Sequence, residues 1–195
     1  YAPAVIDWLT DLSAQTGRRI PVRLVKGAYW DTEIKRAQAA GLSSFPVFTR
    51  KTHTDVAYLA GAKALLASAG LVPQFATHNA HTVAWVLHHA PAGGEFEFQR
   101  LHGMGRELYD SLLDAVQRPV PCRVYAPVGA HEHLLPYLVR RLLENGANTS
   151  FVNRIVDADV PAASLAVDPV AAALADDCTG NPAIAAPADI FAPTR

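Results

Sequence analysis

The stretch Leu71-Val-Pro-Gln-Phe-Ala-Thr-His-Asn-Ala-His-Thr-Val-Ala-Trp-Val-Leu-His-His89 decides the fold. Leu71 to Ala76 is a short apolar run and reads as a buried strand. Thr77-His78-Asn79 supplies a polar turn, and Ala80 to His89 reads as a helix. A strand that leads through a brief turn into a helix is the repeating unit of a parallel α/β protein.

The same unit recurs on both sides. Upstream, Val5, Ile6, Trp8, Leu9 and Leu12 share a helical face that Gly17 ends. Pro21 to Lys26 follows as a strand stopped by Gly27. A helix from Asp31 to Ala40 is expected next, with Asp31 able to cap and Gly41 to close it. After a loop from Leu42 to Arg50, Thr54 to Ala69 reads as a second helix, capped by Thr54 and closed by Gly70. Downstream, Glu95 to Leu101 is a strand, Gly103 and Gly105 a turn, and Glu107 to Val116 a helix. Val120 to Tyr125 is the fourth strand, Ala126 to Ala130 its turn, and His131 to Asn145 a helix that Gly146 ends. Four such units in a row make half of an eight-fold barrel or an open doubly wound sheet. No GxGxxG follows any strand.

Composition narrows the class. The 195 residues are 50% hydrophobic and 18% charged, which suits a globular domain with a real core and excludes a disordered chain. Seventeen Lys and Arg against 18 Asp and Glu leave a net charge of -1, so no basic surplus points to nucleic acid. Cys122 and Cys178 form no CxxC and are expected as reduced cytoplasmic thiols. The stretch Leu71 to Gly94 lacks Asp, Glu, Lys and Arg but holds four histidines, Asn79 and two prolines, too polar a set for a bilayer. No signal peptide is expected, and a start on Tyr1 reads as a fragment or a processed chain. From Gly146 onward Pro and Ala dominate, which reads as a capping segment and then a linker.

Parallel α/β enzymes do their chemistry at the carboxyl ends of the strands. Five polar groups gather there: Lys26 to Trp30, Thr77-His78-Asn79, Gln99 to His102, Tyr125, and Tyr137 with Arg140, Arg141 and Glu144 on the last helix. Arg23 sits between Val22 and Leu24, so its charge either makes a structural ion pair or points into a lumen. Arg140 and Arg141 read either as a solvated helix face or as a clamp. Tyr137, three and four residues earlier, shares their face. Two guanidiniums under an aromatic lid suit a small carboxylate with an apolar body. His131-Glu-His133 is not HExxH, and His78 with His81 has no third ligand in view, so no metal site is expected. Trp30 is either core or a plate for an adenine.

Together these residues resemble a known family. Arg23-Leu-Val-Lys-Gly-Ala-Tyr-Trp30, Ala76-Thr-His-Asn79, Leu101-His-Gly-Met104, Tyr125-Ala-Pro-Val-Gly129 and Tyr137-Leu-Val-Arg-Arg-Leu-Leu-Glu-Asn-Gly-Ala-Asn-Thr-Ser-Phe-Val-Asn153 are similar to the proline dehydrogenase domain of bacterial proline utilization A proteins. The resemblance runs in order from about Pro21 to Asp157. The segment Asn181 to Phe191 looks like the lead-in to an aldehyde-dehydrogenase module that this chain does not contain.

The resemblance implies the C-terminal half of a distorted (β/α)8 barrel over residues 1–157, followed by a linker over 158–195. It implies FAD as cofactor, L-proline as substrate, oxidation to pyrroline-5-carboxylate, and a membrane quinone as electron acceptor. It places the protein in the cytoplasm or peripherally on the inner face of the membrane. Arg23 would lie near flavin N5; Val25, Gly27, Ala28 and Trp30 would line the cofactor, with Trp30 at the adenine; Thr77, His78 and Asn79 would contact the flavin or its pyrophosphate. Leu101, Tyr125 and Tyr137 would wall the proline ring, Arg140 and Arg141 would clamp its carboxylate, and Glu144 and Phe151 would support the ribityl and adenine ends. The family's first four strand–helix units precede the matching region, and with them a lysine and an aspartate of the proline site. Arg100 stands where some members carry a small residue and is expected to face away from the pocket. A non-catalytic scaffold that kept the half-barrel is the rival from another class; a carboxylate-binding barrel enzyme without flavin is the second.

Overall fold

A computed structural model describes residues 1–116, 120–146 and 161–190, without the side chains of 113–115, 144–146, 162 and 165. The order is α1 (Ala2–Thr16), β1 (Ile20–Leu24), α2 (Trp30–Ala39), α3 (Lys51–Ala67), β2 (Leu71–Ala76), α4 (Ala80–His89), β3 (Glu97–Leu101), α5 (Arg106–Ala115), β4 (Cys122–Tyr125) and α6 (His131–Gly146). The four strands form one parallel sheet in the order β1-β2-β3-β4. Sequential strands lying side by side, each separated by helix, is the arrangement of a (β/α) barrel wall.

The chain divides into two compact units. The first holds Tyr1–Val25 and Tyr58–Ala166, and the second holds Lys26–Ala57 and Val167–Arg195. In the first unit one face of the sheet is packed under helices. Leu71 and Phe75 of β2, Phe98 of β3, Val83 and Val86 of α4, Leu65 of α3 and Tyr109 of α5 are all buried there. Phe75, Phe96, Phe98 and Tyr109 meet edge-on or tilted, with ring centroids 5.5 to 6.3 Å apart. Such pairs add to the area term of the core.

Strand alternation sends the other set of side chains to the opposite face. The register aligns Arg23 with Gln74, Gln74 with Glu97, Gln99 with Arg123, and Leu101 with Tyr125. That face is therefore polar, as a barrel lumen with work to do is polar. Arg100 alternates to the helix-covered side, and its Nη1 donates to the Met104 carbonyl at 3.3 Å.

Several boundaries differ from expectation for local reasons. The N-cap of α2 is Tyr29 with no side-chain hydrogen bond, so Asp31 does not cap but sits with Glu33 in the first turn, facing the positive helix end. Helix α3 starts at Lys51, which places Thr54 inside it. There Lys51 Nζ bonds Asp55 at 2.6 Å, an i,i+4 pair that holds the first turn. Strand β4 starts at Cys122, after Pro121, which has no N–H for a ladder but whose carbonyl accepts from the Phe98 N–H at 2.8 Å. Gly17, φ 64°, ends α1 in the left-handed conformation, as expected of a glycine just past a helix.

In the second unit the Pro/Ala-rich segment read as linker carries helices at Ala162–Leu165 and Pro169–Ala175 and a 3₁₀ turn at Pro187–Asp189, the first of these belonging to unit one. Ile34 and Ala37 of α2 are buried, as are Pro169, Ala173 and Pro187. Small residues that read as featureless in sequence serve here as close-packing surfaces. No helix among the described residues is long and apolar enough to cross a membrane.

Candidate active site

The site is built from the strand ends of unit one. Asn79 ends the turn after β2 and caps α4, its Oδ1 accepting from the Thr82 N–H at 3.1 Å. Thr77 is held twice: its Oγ1 accepts from the Asn79 N–H at 3.1 Å and its carbonyl accepts from the Tyr109 hydroxyl at 2.9 Å. The turn is thereby fixed by side chains, and the first turn of α4 presents its N-terminal end at the rim.

His78 lies between these groups and β3. Its Nε2 accepts from the Leu101 N–H at 3.1 Å. Burial, then Arg141, then Arg100 push its pKa down to about 4, so the ring is neutral at physiological pH. With Nε2 accepting, the proton of the neutral ring sits on Nδ1. His78 is thus a fixed hydrogen-bond donor at the rim. Gly105, φ 66°, makes room for it, since a Cβ there would stand 2.9 Å from His78 Cδ2.

Across the sheet, the Arg23 guanidinium lies over the Tyr125 ring, 4.5 Å from its centroid. Tyr125 hydrogen-bonds Tyr137, and Arg141 sits 5.5 Å from the Tyr137 ring centroid. Burial first, then Tyr125, raise the Tyr137 pKa, with Arg141 and Arg23 opposing, so Tyr137 stays protonated. Arg23, Tyr125, Tyr137, Arg141 and His78 therefore form one connected group drawn from β1, the turn after β2, β4 and α6.

The orientation of α6 matters most. Tyr137, Arg140 and Arg141 are half-buried, while Leu135, Leu138, Val139, Leu142 and Leu143 are exposed, Leu142 at 70% and Leu143 at 68%. A solvated arginine face would be the reverse. The helix turns its cations toward the protein, beside Leu134, and Leu135, Leu138, Leu142 and Leu143 away.

Leu101 is buried beside His78, and Val25 is exposed just past β1. Gly27, Ala28 and Trp30 belong to unit two, where Trp30 opens α2 and its Nε1 donates to the Phe48 carbonyl at 2.8 Å. The Glu144 side chain and Phe151 lie outside the described residues. Sequence reasoning did not single out Glu97 and Arg123. Arg123 donates to Glu97 through Nε at 2.9 Å and Nη2 at 2.8 Å, and Gln99 Nε2 donates to the same carboxylate at 2.7 Å. The hydrogen bond from Arg123 is the largest reason that Glu97 stays ionised to lower pH. Glu-x-Gln at alternate positions of β3 was the available signal.

The donor set suits a flavin nucleotide. Arg23 and Arg141 are fixed cations, His78 offers an N–H, a helix N-terminus stands at the rim, and the Glu97 carboxylate on that face is neutralised by Arg123. These are the groups that anionic phosphates and a reduced flavin call for. No cluster of three or more His, Cys, Asp or Glu among the described residues is placed to hold a metal ion.

A parallel wall of sequential strands with one polar face defines part of a (β/α) barrel. The comparisons make this specific: the proline dehydrogenase family model matches residues 1–154, and the chain belongs to that family. It is 60% identical over 177 residues to the bifunctional protein PutA of Salmonella typhimurium, covering 87% of this chain and 13% of that protein. To the bifunctional protein PutA of Escherichia coli it is 55% identical over 202 residues, covering 97% of this chain and 15% of that one. A crystal structure of the Bradyrhizobium japonicum proline utilization A mutant D779W superposes with a TM-score of 0.91 at 54% identity, over 98% of this chain and 20% of that one. The chain thus spans about a seventh of the length of these curated relatives.

Proposed function

We propose that this chain forms the carboxylate-binding side of a proline dehydrogenase site that oxidises L-proline to pyrroline-5-carboxylate with FAD. The observation that carries the reading is the inward-facing trio Tyr137, Arg140 and Arg141 on α6. FAD held beside Arg23 and His78 would supply the two-electron acceptor for the hydride of the proline ring carbon, with the ring nitrogen giving up a proton as the C=N bond forms. The electrons pass on to a membrane quinone, and the product goes to an aldehyde-dehydrogenase module of the same longer protein. Such a protein works in the cytoplasm, peripherally at the inner face of the membrane.

The chain's own residues bind and orient. Arg140 and Arg141 hold the substrate carboxylate, which fixes where the ring lies. Tyr137, Tyr125 and Leu101 wall the ring. Arg23 holds positive charge where an anionic reduced flavin needs it, and Tyr125 under its guanidinium keeps it in place. Neutral His78 donates from Nδ1 without adding repulsion to two nearby arginines.

These residues alone do not turn over proline. Among the described residues β1 and β4 each pair on one side only, so the wall is open at both edges. Proximity and orientation are worth about 7–11 kcal/mol of barrier, which an open wall does not supply. The test uses the full-length protein: flavin absorbance should be present and should bleach on adding L-proline. A colourless full-length protein would overturn the reading. Full proline-dependent dye reduction by the 195 residues alone would overturn the claim of an incomplete site.

A further inference from the structure

The ladder between β2 and β3 gives up its last rung to two side chains. Between β3 and β4 the parallel pattern runs past the strand ends, with the Phe98 N–H on the Pro121 carbonyl and the His102 N–H on the Tyr125 carbonyl, both at 2.8 Å. Between β2 and β3 it is kept as far as the Thr77 N–H, which donates to the Gln99 carbonyl at 3.3 Å. The next rung of a parallel ladder would join the Leu101 N–H to the Thr77 carbonyl. Both groups are engaged elsewhere. The Thr77 carbonyl accepts from the Tyr109 hydroxyl at 2.9 Å, and the Leu101 N–H donates to His78 Nε2 at 3.1 Å.

Tyr109 suits this exchange because of where it sits. It is 1% exposed, tilted against Phe98 with ring centroids 5.6 Å apart, and reaches the strand end from α5. Burial above all pushes its pKa up, so the phenol stays an O–H donor. A buried backbone N–H left without an acceptor is costly. While the phenol holds the Thr77 carbonyl, the Leu101 N–H needs another acceptor, and the imidazole lone pair supplies it. At the start of the same helix Gly105 leaves the space that the ring fills. A Cβ there would stand 2.9 Å from His78 Cδ2 and 3.7 Å from Tyr109 Cδ2. The Tyr109 N–H donates to the Gly105 carbonyl at 3.2 Å, so phenol and seat move together.

We propose that Tyr109 is a positioning residue for His78: by taking the Thr77 carbonyl it transfers the Leu101 N–H to the imidazole, which caps Nε2, keeps the proton on Nδ1 and fixes the ring against Gly105. A core phenol thus sets the direction of a hydrogen-bond donor at the rim. The effect on proline oxidation rests on the reading of the site given above; the link from Tyr109 to His78 does not.

The test uses the full-length protein with Tyr109→Phe, His78→Gln and the double variant, and Ser13→Ala as a control. Ser13 also carries a buried hydroxyl, which donates to the Arg18 and Gly70 carbonyls at 2.6 and 2.9 Å, at the opposite end of the sheet. Diethyl pyrocarbonate labelling at neutral pH, read by mass spectrometry, reports the accessible lone pair of each neutral imidazole, with exposed His88 calibrating the reagent. Wild-type His78 should label slowly. In Tyr109→Phe the Leu101 N–H returns to the Thr77 carbonyl as an ordinary rung, and His78 should label about fivefold faster, the equivalent of one hydrogen bond. Ser13→Ala should leave it unchanged. Unchanged labelling in Tyr109→Phe, or equally faster labelling in Ser13→Ala, would overturn the link.

In proline-dependent dye reduction, Tyr109→Phe should lower kcat about fivefold, and should lower it no further when added to His78→Gln. Losses that multiply would overturn the action through His78. If the wild type oxidises no proline, the reading of the site fails, while labelling still decides the link. If Tyr109→Phe does not fold, Gly105→Ala, which presses a Cβ on the ring, decides by labelling: His78 no faster than in wild type would overturn the seat.

Discussion

Helices α4 and α6 both follow a strand of the same sheet, and they are built inside out relative to each other. In α4 the apolar face is down: Val83 and Val86 are completely buried against β2, and His88 and His89 lie at its outer end. In α6 the arginine face is down, with Leu134 beside it, and Leu135, Leu138, Leu142 and Leu143 are exposed. An amphipathic helix ordinarily gains its stability by burying its apolar stripe. Helix α6 forgoes that gain in the chain described here, and what it presents to the sheet is two guanidiniums and a phenol. The contrast separates a helix that packs by its apolar face from a helix that turns its arginines inward.

Breaking the structural side of this comparison should have the largest effect. Phe75 is fully buried between the sheet and its helices, so Phe75→Ala should lower unfolding free energy by about 3–5 kcal/mol. A denaturant midpoint within error of wild type would mean that the core is not centred on β2. Next come the arginines. In the full-length protein, Arg140→Ala or Arg141→Ala should weaken proline binding by about 2–4 kcal/mol and act mainly on KM. An unchanged KM in both variants would remove the clamp and return α6 to an ordinary helix.

Tyr137→Ala should be milder, loosening discrimination against bulkier ring analogues by roughly 1–3 kcal/mol. Hydroxyproline rejected as well as by wild type would show that Tyr137 is no wall. His78 gives a pH signature. Its folded pKa, about 4, lies below the ordinary 6.5, so the folded state binds the proton less readily than the unfolded state. Its contribution to stability is fully present above pH 6.5 and is lost as the pH falls toward 4, with a slope of at most about 1.4 kcal/mol per pH unit. His78→Gln should flatten that slope; a slope that survives the substitution belongs to another group. The smallest effect is expected at Leu142, which touches little in this chain. Leu142→Gln should change the stability of these 195 residues by no more than about 0.5 kcal/mol. A larger loss would show that α6 buries its leucines after all.

Much of this was legible in the chain itself. The alternation of apolar runs with amphipathic helices located all four strands, and β2 and α4 matched to the residue because Asn79 is both the turn and the cap. The ends that moved did so where two local signals competed. Asp31 and Thr54 have the chemistry of caps, but the backbone entered each helix earlier, at Trp30 and Lys51. The short helices of the tail were hidden for a different reason. Ala, Pro and Gly carry almost no periodic signal, yet Pro169, Ala173 and Pro187 are buried by close approach of backbone, which composition does not register.

The sequence by itself determined the parallel α/β class, the family, and the residue types at each strand end, because period and short motifs are local properties of a chain. It could not determine which face of α6 points inward, since Tyr137, Arg140 and Arg141 form a stripe in either orientation. Nor could it say which His78 nitrogen carries the proton, or that Glu97 is matched by Arg123 on the neighbouring strand. Those facts depend on register across the sheet and on the low polarity of packed surroundings, which exist only once distant segments have been brought together.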